Sequence, residues 1–123
     1  MVKVSLRVHP DVLFGFSSHH VELILRVENP GGRPVWAEAD VMVPEKISLS
    51  PDSALKKGRL RIGIIGKNEY LEKSVKVYSN SYTNPQMYKC DVVLFAFNHD
   101  GVIETRMEKS LNVRCELKKE ASL

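Results

Sequence analysis

Residues 28–51 read ENPGGRPVWAEADVMVPEKISLSP, and this stretch indicates the fold more clearly than any other. Between residues 35 and 43 apolar and polar side chains alternate, which is the period of a β-strand with one buried face. The segment NPGGRP at 29–34 precedes this strand and Pro44 follows it. Proline cannot donate to a central strand ladder and glycine admits positive φ, so both segments favour turns. We therefore interpret the glycine-proline segment as a turn between two strands rather than as a ligand-binding loop.

The same alternation recurs outward along the chain in both directions. No segment has a convincing helical pattern, although residues 51–58 could form one helical turn between a cap at Asp52 or Ser53 and a stop at Gly58. Seven or eight short strands separated by turns are typical of an all-β protein, and without crossover helices the pairing should be antiparallel. We predict an immunoglobulin-like antiparallel β-sandwich. Its strands are predicted at residues 2–8, 21–28, 35–43, 59–64, 72–79 and twice within 88–117, with a short extended piece at 46–50.

The chain of 123 residues has the size of one domain, and we predict a single domain over residues 1–123 with a flexible C-terminal tail at 116–123. With 43% hydrophobic residues, it can bury a core without a metal or a disulfide. The net charge of +3 is too small to predict a polyanionic partner, so nucleic acid is not expected. No signal peptide or membrane helix is visible. We expect a cytoplasmic location, unless the chain is a fragment of a longer secreted protein.

Residues 88–117 contain the clearest hairpin, because NHDG at 98–101 matches a turn that ends in a left-handed glycine. This turn predicts a register in which odd positions of the two strands face each other. We predict that the odd positions form the core face. The predicted cross-strand pairs are Asn98 with Val102, Phe97 with Ile103, Phe95 with Thr105, and Val93 with Met107.

The first strand of this hairpin is also apolar at its even positions from 92 to 96. A second apolar face needs a cover, which either residues 9–19 or a second subunit could supply. The predicted register also places Cys90 and Cys115 on opposite faces of the sheet, where they cannot form a disulfide without chain movement. We predict that both thiols are reduced.

The residues that could carry chemistry form no recognised motif. The four histidines lack the His-x-His or Cys-x-x-Cys spacing of zinc sites, although His9, Asp11 and His19 share one loop and a cluster there stays open. The chain has no Gly-x-Ser-x-Gly elbow. The segment GIIGK at 63–67 lacks the P-loop spacing, so we interpret it as a hairpin turn. We expect no enzymatic activity, catalytic residue, metal or cofactor.

The densest basic segment consists of Lys56, Lys57, Arg59, Arg61 and Lys67. It has no aromatic side chains to stack on bases, so a solvated strand edge guarded by positive charge is the favoured interpretation. An alternative function is a binding module for a small ligand such as a sugar, metal or phosphate. Such a module would use this 56–67 edge or the 9–20 loop.

Aromatic and apolar side chains suggest a protein interface. Trp36 falls on the polar face of its predicted strand and should point outward, where it could anchor a partner. Packing under loops explains such side chains equally well. The candidate interface residues are Phe14, Phe16, Trp36, Leu94, Tyr78 and Tyr82. The expected partner is another protein or a second copy in a homodimer, and not a membrane.

LRVENPGGRPVWAEADVMVPEKISLSP at 25–51 resembles the first half of immunoglobulin-like modules in archaeal and bacterial proteins. In these modules an asparagine-glycine turn ends one strand, a proline-led strand follows, and a P-E-x-[IL]-S-L-S segment ends that strand. GRLRIGIIGKNEYLEKSVKVYS at 58–79 continues the pattern. The likeness is to conserved-repeat and CARDB-type domains over about residues 20–115. It implies a β-sandwich with a scaffold or adhesion role and no catalytic residues. We thus predict a non-enzymatic protein-interaction module, with self-association as its most concrete form.

Overall fold

The computed structural model describes residues 2–118, which form eight β-strands and no helix. They lie in two sheets that pack face to face, so the predicted all-β sandwich is confirmed. The strands are β1 (Lys3–His9), β2 (Val12–Phe14), β3 (His20–Asn29), β4 (Val35–Met42), β5 (Lys57–Ile65), β6 (Glu69–Tyr78), β7 (Met87–Phe97) and β8 (Ile103–Glu116).

The smaller sheet has the strand order β1-β3-β6, and the larger sheet has the order β2-β8-β7-β4-β5. Neighbouring strands are antiparallel except β2, which runs parallel to the end of β8. The loop at 29–34 and the turn at 66–68 each pass from one sheet to the other. The prediction of a hairpin turn at 63–67 is therefore wrong, since β5 and β6 belong to opposite sheets.

The core lies between the sheets and follows the predicted alternation in β3 and β4. Odd positions 21–27 and 35–41 are buried, and burying each large aliphatic side chain contributes roughly 1.5–3 kcal/mol. Leu13 from β2 and Ile47 from the loop after β4 add to this core. The largest fully buried side chains are Leu13, Leu23, Leu25, Ile47, Ile62, Ile65 and Leu94.

The β7–β8 hairpin differs from the predicted register. Phe97 does face Ile103, but a β-bulge then shifts the pairing, so that Ala96 faces Thr105 and Leu94 faces Met107. The extra residue in β8 brings the even positions of β7 onto the core face, so the prediction of an odd core face in β7 is wrong. Packing against the three-stranded sheet covers the even face of β7, and no second subunit is needed there.

A second β-bulge changes the phase of β5. Ala37 pairs with Gly63 and Glu38 pairs with Arg61, which leaves Ile62 as the extra residue. Gly63 has a φ of 120°, a conformation that side chains with a Cβ rarely adopt. The bulge turns Ile65 into the core and Ile64 outward, whereas simple alternation would have placed Ile64 with Ile62.

Both cysteines are free and buried. The reason predicted for this is wrong, because the two side chains share the core face rather than lying on opposite faces. Cys90 pairs with Leu111, and Cys115 lies four residues further along β8, so their Cα atoms are separated by roughly 13 Å. This distance is about twice the span of a disulfide, ~4.4–6.8 Å. Burial raises the pKa of Cys90 to about 12.

Two loop predictions also change. Residues 9–19 contain the short strand β2 and do not cover the even face of β7. Residues 51–53 form a turn in place of a helical turn, closed by the Ser53 amide donating to the Ser50 carbonyl at 3.2 Å. Of the predicted flexible tail, Glu116 ends β8 and pairs with Phe14. Residues 119–123 lie outside the described part of the chain.

Asn29 explains the conformation of the glycine-proline segment. Its buried side-chain amide donates to the carbonyl oxygens of Arg33 at 2.7 Å and Ile65 at 3.0 Å, and its Oδ1 accepts from the Gly31 amide at 3.0 Å. The segment is thus a connection between the two sheets that is fixed by hydrogen bonds, because the Asn29 side chain bonds both to the loop and to the end of β5. Among residues 2–118 there is no helix that could cross a membrane.

Candidate protein-interaction surface

Four apolar side chains form a continuous line across the outer face of the five-stranded sheet. Trp36 of β4 pairs with Phe97 of β7 on one side and with Ile64 of β5 on the other, and Phe97 pairs with Ile103 of β8. Paired residues point to the same face of a sheet, so the four side chains are neighbours. We call this set Ile103, Phe97, Trp36 and Ile64 the apolar row.

The apolar row is exposed although its members are large. Ile64 is 66% exposed, Ile103 is 52% exposed and Trp36 is 37% exposed, whereas Phe97 is half-buried. The two bulges explain its ends, because each shifts the phase of its strand and turns an isoleucine outward. Bulges often re-aim side chains near functional sites. The row therefore depends on two local irregularities at the same level of the sheet.

An open cleft of about 500 Å³ lies over three of the four side chains of the apolar row. Its floor is Trp36, Phe97 and Ile64, and its rim is formed by the loop before β4 and the β7–β8 turn. The left-handed Gly101, with a φ of 76°, allows this turn. A mostly apolar floor with a polar rim is typical of the centre of a protein interface.

Charged side chains flank the apolar row on the side towards the middle of the sheet. The Arg59 guanidinium donates to both carboxylate oxygens of Asp40, at 2.8 and 3.1 Å, and this hydrogen bonding holds the pKa of Asp40 below its usual value. Glu38 lies 3.6 Å from Arg61 and 3.9 Å from Arg59. In β8, Arg106 donates to Glu108 at 3.1 Å. These three basic and three acidic side chains balance each other.

The outer face of the three-stranded sheet is different, because ion pairs cover it. Arg7 donates to Glu72 at 3.0 Å, and Arg26 lies 3.1 Å from Glu28 and 3.7 Å from Glu72. The guanidinium of Arg26 also lies 3.7 Å from the centre of the Tyr70 ring. This face has the charged character expected of a solvated sheet surface. The apolar row is thus a property of one sheet only.

The structure separates the six predicted interface residues into three places. Trp36 lies in the apolar row and points outward, as its position in the strand indicated. Leu94 is fully buried, so its prediction as an interface residue is wrong; the bulge in the hairpin places it in the core. The other four lie at the opposite end of the sandwich: Phe14, Phe16, Tyr78 and Tyr82.

At that opposite end, polar groups of the loops form hydrogen bonds with one another. The Ser79 hydroxyl lies within hydrogen-bond distance of the carbonyl oxygens of Phe14, Ser17 and His19, at 2.7 to 3.2 Å. The Phe14 amide donates to His19 Nδ1 at 3.1 Å, and the Phe16 amide donates to the Thr83 carbonyl at 2.8 Å. Phe16 and Tyr82 remain exposed.

The two segments suggested for a small ligand, the 9–20 loop and the 56–67 edge, do not bring ligand-binding side chains together. Over the described range 2–118, no three His, Cys, Asp or Glu side chains come together as a metal site would require, so His9, Asp11 and His19 do not form such a group. In the 56–67 segment, Lys56 donates to the carbonyl oxygen of Ile47 at 2.6 Å and the arginines face Glu38 and Asp40. As predicted, the segment includes an edge strand, β5.

The residues missed by the sequence interpretation are Ile64, Phe97 and Ile103. All three fall on the opposite face if alternation is extended without interruption. The available signal was glycine within or beside a strand, since Gly63 and Gly101 are the kind of residue that marks bulges and tight turns. Which face the side chains beside these glycines point to depends on the strand that pairs with them, and the sequence of one strand alone does not reveal that partner.

Solved structures with the same architecture come from several kinds of protein. The chain is similar to a CARDB domain from Pyrococcus furiosus solved in complex with di-metal ions, with 18% identity, a TM-score of 0.53, and coverage of 94% of this chain and 88% of that one. It is also similar to a FixG-related protein from Vibrio parahaemolyticus, at 11% identity, a TM-score of 0.53, and coverage of 94% and 97%. A third match is AvmM, which catalyses macrocyclization in alchivemycin A biosynthesis, at 9% identity, a TM-score of 0.53, and coverage of 99% and 92%.

These likenesses concern the fold. No protein-family model matches the chain, and no curated protein matches it either. The neighbours include both a CARDB domain and a catalytic protein, and one fold can host unrelated functions. The resemblance to CARDB-type domains that residues 25–79 predicted is confirmed for the β-sandwich fold.

Proposed function

We propose that this chain is a non-enzymatic protein-interaction module and that the apolar row is its docking surface. The observation that carries the proposal is a row of four large apolar side chains in register across β8, β7, β4 and β5, three of them exposed and one half-buried. Contiguous exposed apolar side chains with a polar rim mark interaction sites, because covering them removes apolar surface from water. Trp36 is the natural anchor, since buried tryptophans dominate many interfaces.

The face of the sheet is a better docking surface than its edges. Lys73 occupies a core-facing position of the edge strand β6, and Lys109 occupies one in the part of β8 that β2 does not pair with. A charge at such a position discourages the addition of another strand. The β5 edge carries a bulge and three cationic side chains, at positions 57, 59 and 61. A partner is therefore expected to lie over the apolar row and not to extend the sheet.

The charges near the cleft support binding rather than catalysis. Glu38 and Asp40 lie on the same face of β4 as Trp36, and each is already opposed by an arginine. The pKa of Asp40 is lowered by its hydrogen bonds with Arg59, which is opposite to the shift that a general acid requires. These groups are suited to a fixed polar rim.

We also propose a cytoplasmic location. Its support is the pair of buried thiols, Cys90 and Cys115, which are separated by far more than a disulfide allows. Unpaired core cysteines are typical of reducing compartments. Fractionation of cells that produce the protein would find it with cytoplasmic markers, and recovery with secreted proteins would contradict this.

Site-specific photo-crosslinking tests the docking surface. A benzophenone amino acid at position 64 should form adducts with protein in living cells, because the side chain points out of the apolar row. The matched position is Ser74, which is exposed on the outer face of the other sheet and should form few adducts. Phe97→Glu in the position-64 chain should abolish them. Equal adduct yields at 64 and 74, or none at 64, would contradict the proposal.

A further inference from the structure

We propose that the partner of the apolar row is a second copy of this chain, related by a two-fold axis that runs along the strands between β4 and β7. This inference rests on the proposed docking surface. The row reads isoleucine, aromatic, aromatic, isoleucine from either end. About such an axis Trp36 meets Phe97 of the second copy and Ile64 meets its Ile103. An isologous interface requires this kind of self-complementary pattern.

The charges beside the row allow two identical chains to approach. The chain as a whole carries a net charge of +3, so two copies repel each other at long range. The six charged side chains flanking the row cancel, since Arg59, Arg61 and Arg106 balance Glu38, Asp40 and Glu108. A neutral face selects neither an acidic nor a basic partner and does not oppose its own copy.

The flanking levels of the sheet set the strength of the contact. Two levels below the row, Arg59 of one copy faces Glu108 of the other, which is favourable. One level below the row, Arg61 faces Arg106, which is unfavourable. Four strands spaced by ~4.8 Å and three levels of side chains provide roughly 400 Å² from each copy. Standard interfaces bury about 800 Å² on each side, so the dimer should be weak and transient.

Charge exchange across the axis tests this arrangement. Ile64→Lys and Ile103→Glu each place a charge against an isoleucine of the second copy and should weaken dimerisation at least about 10-fold. The double variant carries both changes in one chain and should recover most of the affinity, because the introduced ammonium then meets the introduced carboxylate at both ends of the row. Both positions are more than half exposed, so the variants are expected to fold. Ser74→Lys on the other sheet is the control and should not change dimerisation.

Sedimentation equilibrium from about 10 µM to 1 mM measures these affinities, with circular dichroism to confirm folding. A double variant as monomeric as the single variants would overturn the two-fold axis, since positions 64 and 103 of the two copies would then not meet. Wild-type protein that is monomeric throughout would overturn the second copy as partner. If position 64 still crosslinks to other proteins in that case, the docking surface stands. If both measurements are negative, both proposals fail.

Discussion

Trp36 and Phe97 lie directly opposite each other on neighbouring strands, with both side chains on the outer face of the five-stranded sheet. Phe97 follows the bulged end of the β7–β8 pairing, and Trp36 lies beside the bulge in β5. The pair is therefore flanked on each side by an isoleucine that a bulge has turned outward. An apolar floor with this geometry, flanked by charged side chains on the same sheet, is the basis for the proposed docking surface.

Leu94 and Ile64 should respond differently to truncation. Leu94→Ala removes a fully buried side chain and should lower the free energy of unfolding by about 2–5 kcal/mol. Ile64→Ala removes an exposed side chain and should change it by no more than about 0.5 kcal/mol. Urea denaturation followed by tryptophan fluorescence measures both values. A large loss for Ile64→Ala would mean that the apolar row stabilises the monomer instead of serving a partner.

Gly63→Ala should destabilise the chain through the bulge in β5. The φ of 120° at Gly63 is strained for alanine, which should cost about 1–3 kcal/mol of unfolding free energy. Gly32→Ala is the control, since a Cβ at Gly32 meets open space. Thermal melts of the two variants side by side make the comparison. If the melting temperatures of both variants match the wild type, the bulge is not held by Gly63.

Acidification should destabilise the chain through His19. Burial is the main reason that the pKa of His19 is lowered, and the positive charges of His20 and Lys118 lower it further. The unfolded chain therefore binds this proton more readily than the folded chain does. The contribution of His19 to stability is complete above about pH 6.5 and is lost as the pH falls towards the folded pKa.

Chemical denaturation at pH 7.5, 6.5 and 5.5 measures this dependence. The free energy of unfolding should decrease over this series, and His19→Gln should flatten the decrease. Protonation at Nδ1 would also remove the acceptor for the Phe14 amide, so the loop at 9–20 should loosen first. A pH dependence that is unchanged in His19→Gln would assign the effect to other groups.

Both thiols should resist modification in the folded chain. Burial raises the pKa of Cys90 to about 12, and burial also raises the pKa of Cys115, so little reactive thiolate exists at neutral pH. An aromatic disulfide reagent should therefore label neither cysteine until guanidinium unfolds the protein. Asn112→Cys, on an exposed position of β8, should add one thiol that reacts at once. Rapid labelling of the wild-type chain would contradict the core placement.

The strands and the sandwich could be predicted because alternation reports burial directly. Odd positions in 21–27 and 35–41 are buried as the pattern indicated, and β3 and β4 contribute the centre of the core. The order of the strands and the sheet to which each belongs were harder to predict from the sequence. A turn such as 66–68 looks the same in sequence whether it closes a hairpin or passes between sheets, because pairing is decided by partners far along the chain.

The candidate site was harder to predict for the same reason. One extra residue in β8 reverses the faces that were assigned to β7, and this moved Leu94 into the core and Phe97 to the surface. One extra residue in β5 did the same for Ile64. The outward position of Trp36 was predicted correctly because β4 alternates without interruption. Local propensity therefore identified the outward tryptophan, and the bulges, which depend on pairing, determined its neighbours.

The most direct test of self-association through the docking surface is an NMR concentration series on the isotopically labelled wild-type chain. We expect amide shifts to change between about 10 µM and 1 mM at positions 36, 64, 97 and 103 and their cross-strand neighbours, and to remain constant on the outer face of β1, β3 and β6. Changes centred on that other face would contradict the account, as would changes at the loop end that carries Phe16 and Tyr82. Spectra without any concentration dependence would contradict association through a second copy.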